Sequence, residues 1–203
     1  MIRAAAAALV LALAACSSAP APVPLTPEFP ASVGTYEDVT WAWTRRAVLR
    51  GDYQQALEVH ATFRSPMWHA AYAALQVQHR HLAGAAANQV FGEARAASEG
   101  DYQIALAVVT YDPRENDLDR GPRSIWRLAL VDDAGRETAP IEIVRDRRPL
   151  EVLRAELPEV TEFAKVYIAT FPRSANVLRP DARAMTLKMW SSRGGVALVW
   201  KAP

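Results

Sequence analysis

Apolar residues occupy every second position in one stretch of the chain: Leu57, Val59, Ala61 and Phe63, with Glu58, His60, Thr62 and Arg64 interleaved. Side chains of a β-strand point alternately to its two faces, so the pattern predicts a half-buried strand. Phe63 is expected in the core and His60 on the opposite face. An earlier strand is predicted from Trp41, Trp43, Ala47 and Leu49, with a hairpin turn at Gly51-Asp52.

A helical pair is predicted over residues 66–98. Ser65 followed by Pro66 is typical of an N-cap and the first helical position. Apolar positions then recur at helical spacing, at Trp68, Tyr72, Leu75, His79 and Leu82. Gly84 is expected to stop this helix, and a second helix is predicted from about residue 86 to 98, ending at Gly100. The apolar face of the pair either caps the domain or receives a partner.

Most of the remaining chain has strand patterns. They lie near residues 104–108, 124–131, 141–144, 165–171, 183–190 and 195–200. The predicted fold is therefore mainly β: an antiparallel β-sandwich of about eight strands in an immunoglobulin-like layout. The helical pair is inserted between the second and third strands.

An internal near-repeat suggests an alternative fold. The segment from Gly51 to Leu57 nearly recurs from Gly100 to Leu106, and each copy is similar to the second-helix start of a tetratricopeptide repeat. That resemblance implies a helical N-terminal part followed by a β C-terminal part. The Trp-Leu-Gly signature of the first helix is missing, and both copies continue with strand-like alternation.

The first sixteen residues have the features of a secretion signal. Arg3 is followed by an apolar run over residues 4–14, which is shorter than the ~20 residues that cross a bilayer. The run ends in Leu13-Ala14-Ala15-Cys16, which resembles the lipobox of bacterial lipoprotein precursors. The resemblance implies cleavage between Ala15 and Cys16, and acylation of the Cys16 thiol by membrane lipid.

The residues after the lipobox predict a destination and a tether. Ser17 follows Cys16, and by resemblance to Gram-negative lipoproteins the lack of Asp there implies transfer to the outer membrane. Prolines recur throughout residues 16–34, which disfavours helix and sheet. We therefore expect a signal peptide at 1–15, a lipidated tether at 16–34 and a single domain at 35–203, facing the periplasm.

Two internal segments extend the resemblance to envelope lipoproteins. Residues 57–66 and 124–128 are similar to segments of Gram-negative envelope lipoproteins of no known activity. This similarity supports the layout of the domain and implies no reaction.

Charge and cysteine content narrow the classes of partner. The chain has 23 Lys and Arg against 22 Asp and Glu, which argues against nucleic acid as a partner. Cys16 is the one cysteine, so the mature domain has no internal disulfide. No cofactor is expected.

Two groups are weak candidates for metal ligands. His79 and His81 are imidazoles close in sequence, with His69 earlier in the same helix, but their spacing matches no zinc motif. Asp112, Asp117 and Asp119 lie in a charged loop over residues 112–123, where carboxylate oxygens could bind calcium. Arginines in that loop neutralise much of its charge, so a solvated or salt-bridged loop is the alternative.

The remaining motifs favour binding over catalysis. Arg145-Asp146-Arg147-Arg148 is a basic run that could meet anionic lipid head groups or simply be solvated. Neither a Gly-x-Ser-x-Gly nor a Ser-x-x-Lys motif is present. The sequence thus predicts a non-enzymatic accessory lipoprotein that binds another envelope component. A ligand- or metal-binding module and an envelope hydrolase are the alternatives.

Overall fold

A computed structural model describes residues 20–51 and 55–203. Nine strands form two antiparallel sheets, and two helices are inserted between the second and third strands. The predicted mainly β fold, a sandwich with a helical insertion, is confirmed. The signal segment, Cys16 and Asp52 of the predicted hairpin turn lie outside the described residues.

The first sheet has five strands in the order β1-β2-β3-β7-β6. Their bounds are β1 Thr44–Arg50, β2 Gln55–Phe63, β3 Tyr102–Thr110, β6 Glu142–Asp146 and β7 Lys165–Phe171. In the register of β2 and β3, Leu57 pairs with Thr110 and Phe63 with Ile104. The predicted alternation holds along β2, where Phe63 is fully buried in the core.

The second sheet has four strands in the order β5-β4-β8-β9. Their bounds are β4 Arg127–Val131, β5 Glu137–Thr138, β8 Ala184–Ser191 and β9 Gly194–Lys201. The facing sides of the two sheets form one core, whose largest fully buried side chains include Trp43, Phe63, Phe171, Tyr167 and Trp200.

Among the described residues, four α-helices flank the sandwich: α1 Tyr36–Trp43, α2 Pro66–His79, α3 Gly84–Glu99 and α4 Leu150–Glu156. The Thr35 hydroxyl caps α1 by accepting from the Asp38 amide, and the Ser65 hydroxyl caps α2 by accepting from the Trp68 amide. Helix α4 covers the outer face of the first sheet, where Leu153 and Leu157 pack on Ala105, Ala107 and Val166.

Three predictions about these elements are wrong. Trp41 and Trp43 lie in α1 rather than in a strand, because the Thr35 cap begins a helix that puts Trp43 in the core and leaves Trp41 half exposed. Gly84 begins α3 instead of ending α2. The tetratricopeptide alternative fails because residues 55–57 and 102–106, within its two copies, lie in the paired strands β2 and β3.

The proline-rich segment is part of the domain over its described portion, which corrects the predicted tether of residues 16–34. Val23 and Leu25 are buried in the core. The Val23 amide donates to the Lys201 carbonyl at 2.8 Å, and the Leu25 carbonyl accepts from the Arg179 amide at 2.9 Å. Proline prevents regular secondary structure but does not prevent burial of the apolar residues between the prolines.

Arg45 fastens this segment to the sandwich. Its guanidinium donates to the carbonyls of Ala21, Ala42, Thr44 and Val199 at 2.7–2.9 Å. It also lies over the Trp200 ring, 5.7 Å from the centroid. Burial lowers the pKa of Arg45, and the four carbonyls supply the polar contacts that a buried cation needs.

The sandwich has two distinct ends. At the helical end, β2 leads into α2, α3 leads into β3, and β9 finishes beside Val23. At the loop end, β3 leads into residues 111–126, which contain two 3₁₀ segments and lead into β4. The Asn116 amide ties this loop to β3 by donating to the Val108 carbonyl at 2.7 Å, and Tyr167 of β7 donates to the Asn116 carbonyl at 2.9 Å.

Candidate binding cleft

A cleft of about 620 Å³ lies between α2, the start of α1 and the end of α4. Its apolar walls come from Val33, Tyr36, Ala71, Ala74, Leu75 and Pro158. Its polar groups come from Thr35, Glu37, Gln78 and His79. Apolar walls with a few polar groups at the rim are the usual composition of a binding site for small molecules, whose pockets span roughly 300–1,000 Å³.

Tyr36 joins the three walls of the cleft. Its ring packs against Trp68 and Tyr72 of α2, with centroids 5.7 and 5.6 Å away. Its hydroxyl donates to the Glu156 carbonyl of α4 at 2.7 Å. Burial, followed by the charge of Glu156, raises the pKa of Tyr36, so the phenol stays protonated and keeps donating. Tyr36 therefore holds α1, α2 and α4 together at the base of the cleft.

The predicted apolar face of α2 divides into two parts. Trp68 is buried, and its ring stacks on Tyr72 with centroids 5.2 Å apart, so this part caps the core. Leu75 and His79, one and two turns further along, line the cleft. The capping alternative thus describes the start of α2, while the later turns of the same face remain accessible.

An ion network around the buried Glu156 carboxylate lies beneath the cleft. Glu156 Oε1 accepts from Arg64 at 2.5 Å, and Glu156 Oε2 lies 2.7 Å from the Arg148 guanidinium. Arg148 also pairs with Asp146 at 2.7 Å, and its hydrogen bonds hold the pKa of Asp146 below its ordinary value. Because Glu156 belongs to α4 and Arg64 follows β2, the network fixes the cleft wall to the sheet.

His60 contacts two carboxylates on the outer face of the first sheet. Its Nδ1 lies 3.0 Å from Glu159 Oε2, and its Nε2 lies 3.1 Å from Glu58 Oε1. Burial alone would raise the pKa of Glu58, but hydrogen bonds from Arg46, Gln55 and His60 outweigh it and lower that pKa to about 2. His60 thus helps to hold the segment after α4 in place.

The three histidines singled out in the sequence do not converge. His79 lies at the exposed rim of the cleft, and His81 follows in a left-handed conformation with φ of 50°. His69 is half-buried beside the Trp68 ring, and burial lowers its pKa to about 4. It is therefore neutral at neutral pH.

The three aspartates of the charged loop do not converge on one site either. Asp112 accepts from the Arg114 amide at 2.9 Å, and buried Asp117 accepts from the Ser124 hydroxyl at 2.8 Å. Asp119 is exposed. Within residues 20–51 and 55–203, no group of three or more His, Cys, Asp or Glu side chains could hold a metal ion.

The predicted basic run, Arg145 to Arg148, has a mixed role. Arg148 belongs to the ion network around Glu156, through its pairs with Asp146 and Glu156. Arg145 and Arg147 are exposed, and neither guanidinium has a carboxylate partner in the part of the chain that the structure describes. In the same part, no helix is both long and apolar enough to cross a bilayer.

Comparison of the chain with protein-family models, with curated proteins and with solved structures finds no match. The function must therefore be inferred from the chemistry of the cleft and of the protein surface.

Sequence reasoning missed most of the cleft. It named Leu75 and His79 from their helical spacing, but it treated Val33 as tether and predicted no helix at Leu150–Glu156. Glu58 and His60 are two residues apart on a strand, which places them on one face. Their contact with Glu159 is set by tertiary packing and leaves no local signal.

Proposed function

We propose that this protein is a lipid-anchored component of the bacterial envelope, and that its domain acts by binding a partner or ligand in the cleft on α2. The lipobox at residues 13–16 supports the anchor. Acylation at Cys16 would place a permanent membrane anchor four residues before the described chain begins.

One observation carries the proposal: the segment that follows the lipobox also builds the cleft. Residues 20–25 are fastened at the helical end through Val23, Leu25 and Arg45, and residues 33–35 form one wall of the cleft. Residues 20–25 and the cleft wall at 33–35 are therefore parts of the same folded domain, which supports a role for the cleft in a protein anchored just before them.

The first experiment tests the anchor. Replacing Cys16→Ser should move the protein from the membrane fraction to the soluble fraction, because acylation needs the thiol. Ser17→Ala, which leaves the thiol in place, is the matched control. If the Cys16→Ser protein still sediments with membranes in high salt and carbonate, the anchor does not depend on the lipid.

The second experiment tests the cleft. We would place the photo-crosslinker p-benzoylphenylalanine at His79 on the rim, and at Asn88 on the exposed side of α3 as the control. Irradiated cells should give a defined adduct from position 79 and none from position 88. The adduct mass distinguishes a protein partner from a small ligand, which the cleft volume also allows. The same products from both positions, or none from either, would reject the cleft as the binding site.

A further inference from the structure

The loop end of the sandwich carries a group of exposed arginines with no carboxylate partner among the described residues: Arg114, Arg120, Arg123, Arg145 and Arg147. Three follow β3 in the 111–126 loop, and two lie at the end of β6. Residues 118–123 contact β6, so both sets belong to one surface. Asp119, Arg145 and Arg147 line the same shallow depression between them.

Several carboxylates at this end are already occupied. Glu115 pairs with Arg193, Asp117 bonds to Ser124, and Asp146 pairs with Arg148. Asp112, which accepts from the Arg114 amide, and exposed Asp119 and Glu151 have no cationic partner in the described parts of the chain. The five unpaired guanidinium groups outnumber these three carboxylates and buried Asp117, which leaves a positive surface on a chain whose formal net charge is only +1.

Large apolar side chains are exposed on the same surface. Tyr111 directly follows β3 and is 68% exposed, and Phe163 lies two residues before β7 and is 74% exposed. Ile125, before β4, is 39% exposed. All three are on loops, where side chains can project beyond the ends of the strands. We call these three residues and the five arginines the basic–apolar surface.

We propose that the basic–apolar surface docks on an anionic lipid bilayer. Arginines attract acidic head groups, and exposed aromatic rings insert at head-group depth, which is the combination found in proteins that lie on membranes. A soluble anion would need the guanidinium groups to converge in a closed site. A flat bilayer instead needs several charges and apolar tips spread over one end of the domain, as they are here.

This inference goes beyond the proposed function, because it does not depend on Cys16. The described N-terminal residues bond to the helical end through Val23 and Lys201, whereas the basic–apolar surface lies at the loop end.

The test uses residues 16–203 carrying Cys16→Ser, so that neither acylation nor the apolar signal segment contributes. Vesicles of phosphatidylcholine alone are compared with vesicles containing phosphatidylglycerol by co-sedimentation. We expect binding to the phosphatidylglycerol vesicles that weakens with added salt. In that background, Arg120→Glu with Arg147→Glu should weaken it at least about thirty-fold, since each basic residue near such a surface contributes about one kcal/mol.

Two further variants separate the effect of the basic–apolar surface from the effect of net charge. Arg183→Glu with Lys201→Glu makes the same change in net charge at the helical end, and should keep wild-type binding. Phe163→Ser changes no charge and should still weaken binding several-fold. Circular dichroism melts check the fold of each variant, and Phe163→Ser carries the test if the arginine pair does not fold.

Three results would overturn the inference. Equal losses from the two double variants would mean that only net charge matters. Equal binding to both vesicle types would mean that anionic head groups play no part. Unchanged binding of Phe163→Ser, together with competition by free inorganic phosphate, would mean that the surface takes a soluble anion instead of a bilayer.

Discussion

Arg64 and Glu156 form a 2.5 Å ion pair between residues that are 92 positions apart in the chain. Their side chains are only 14% and 7% exposed, so the pair is largely removed from water. Arg64 also lies over the Trp68 ring, 5.0 Å from its centroid. The pair thus connects the end of β2, the base of α2 and the end of α4, which are the elements that support the cleft.

Removing one member of this pair should destabilise the domain strongly. Glu156→Ala leaves Arg64 buried without its carboxylate, which typically costs about 3–5 kcal/mol. The free energy of unfolding from urea titration measures this. Glu137→Ala, which removes the carboxylate of the exposed pair with Lys188, is the control and should change stability by less than about 1 kcal/mol. Similar losses from both variants would contradict a special role for the buried pair.

Arg45 should hold the N-terminal segment on the domain. Arg45→Met keeps the apolar stem but leaves the carbonyls of Ala21 and Val199 without their donor, so we expect a loss of about 1–3 kcal/mol. Amide hydrogen exchange should also speed up at Val23, whose N–H bonds to Lys201. Arg46→Met, on the neighbouring exposed arginine, should leave that exchange unchanged. Slow exchange at Val23 in Arg45→Met would show that the segment is held by its apolar residues alone.

His69 should make stability depend on pH in the weakly acidic range. Burial, followed by the charge of Arg64, lowers its pKa from 6.5 to about 4. A lowered folded-state pKa means that the unfolded chain binds the proton more readily, so stability is full above pH 6.5 and falls as the pH drops toward 4. This one group should contribute a loss of about 3 kcal/mol.

The measurement for His69 is the difference between two variants. His69→Gln should lose less melting temperature than the wild type between pH 7 and pH 4.5, while other groups titrate equally in both proteins. His81→Gln, at an exposed turn, is the control and should follow the wild type. Parallel curves for His69→Gln and the wild type would show that His69 is not protonated in this range.

Charges placed on the two faces of β2 should both be harmful, by different amounts. Phe63→Asp puts a carboxylate into the fully buried core and should unfold the domain. From the sequence alone, His60→Asp would be tolerated on a solvated face. The structure alters that expectation, because the new carboxylate would face Glu58 and Glu159. We expect a loss of about 1–3 kcal/mol for His60→Asp and less for His60→Gln, read from thermal melts.

Periodicity predicted the strands because it reports burial on one face. Residues 165–171 were predicted as a strand, and β7 has those bounds. The pattern did not separate α1 from a strand, because a helix of eight residues has too few turns to show its period. Val23 and Leu25 were predicted as tether residues. Their burial depends on contacts with Arg45 and Lys201, which are not adjacent to them in the sequence and so leave no local signal.

The cleft was predictable only in part, for the same physical reason. The apolar spacing along α2 indicated an exposed or capping face, and the structure shows both uses in succession. The opposite walls come from residues 33–37 and 155–158, and only tertiary packing brings these together. The arginines of the loop end were visible in the sequence. The sequence does not show that Arg148 pairs with a carboxylate while Arg147 has no such partner among the described residues, because this depends on the position of Glu156.

The hydrogen bond from the Val23 amide to the Lys201 carbonyl has a practical consequence. It brings the start and the finish of the folded chain side by side, so a short linker could join Pro203 to Pro20. New termini could then be opened in the tight turn between β8 and β9, at Ser192 and Arg193. Such a circular permutant would keep both sheets and transfer the N-terminal attachment point from the helical end to the loop end. The domain would then be presented to its surroundings in the reverse orientation.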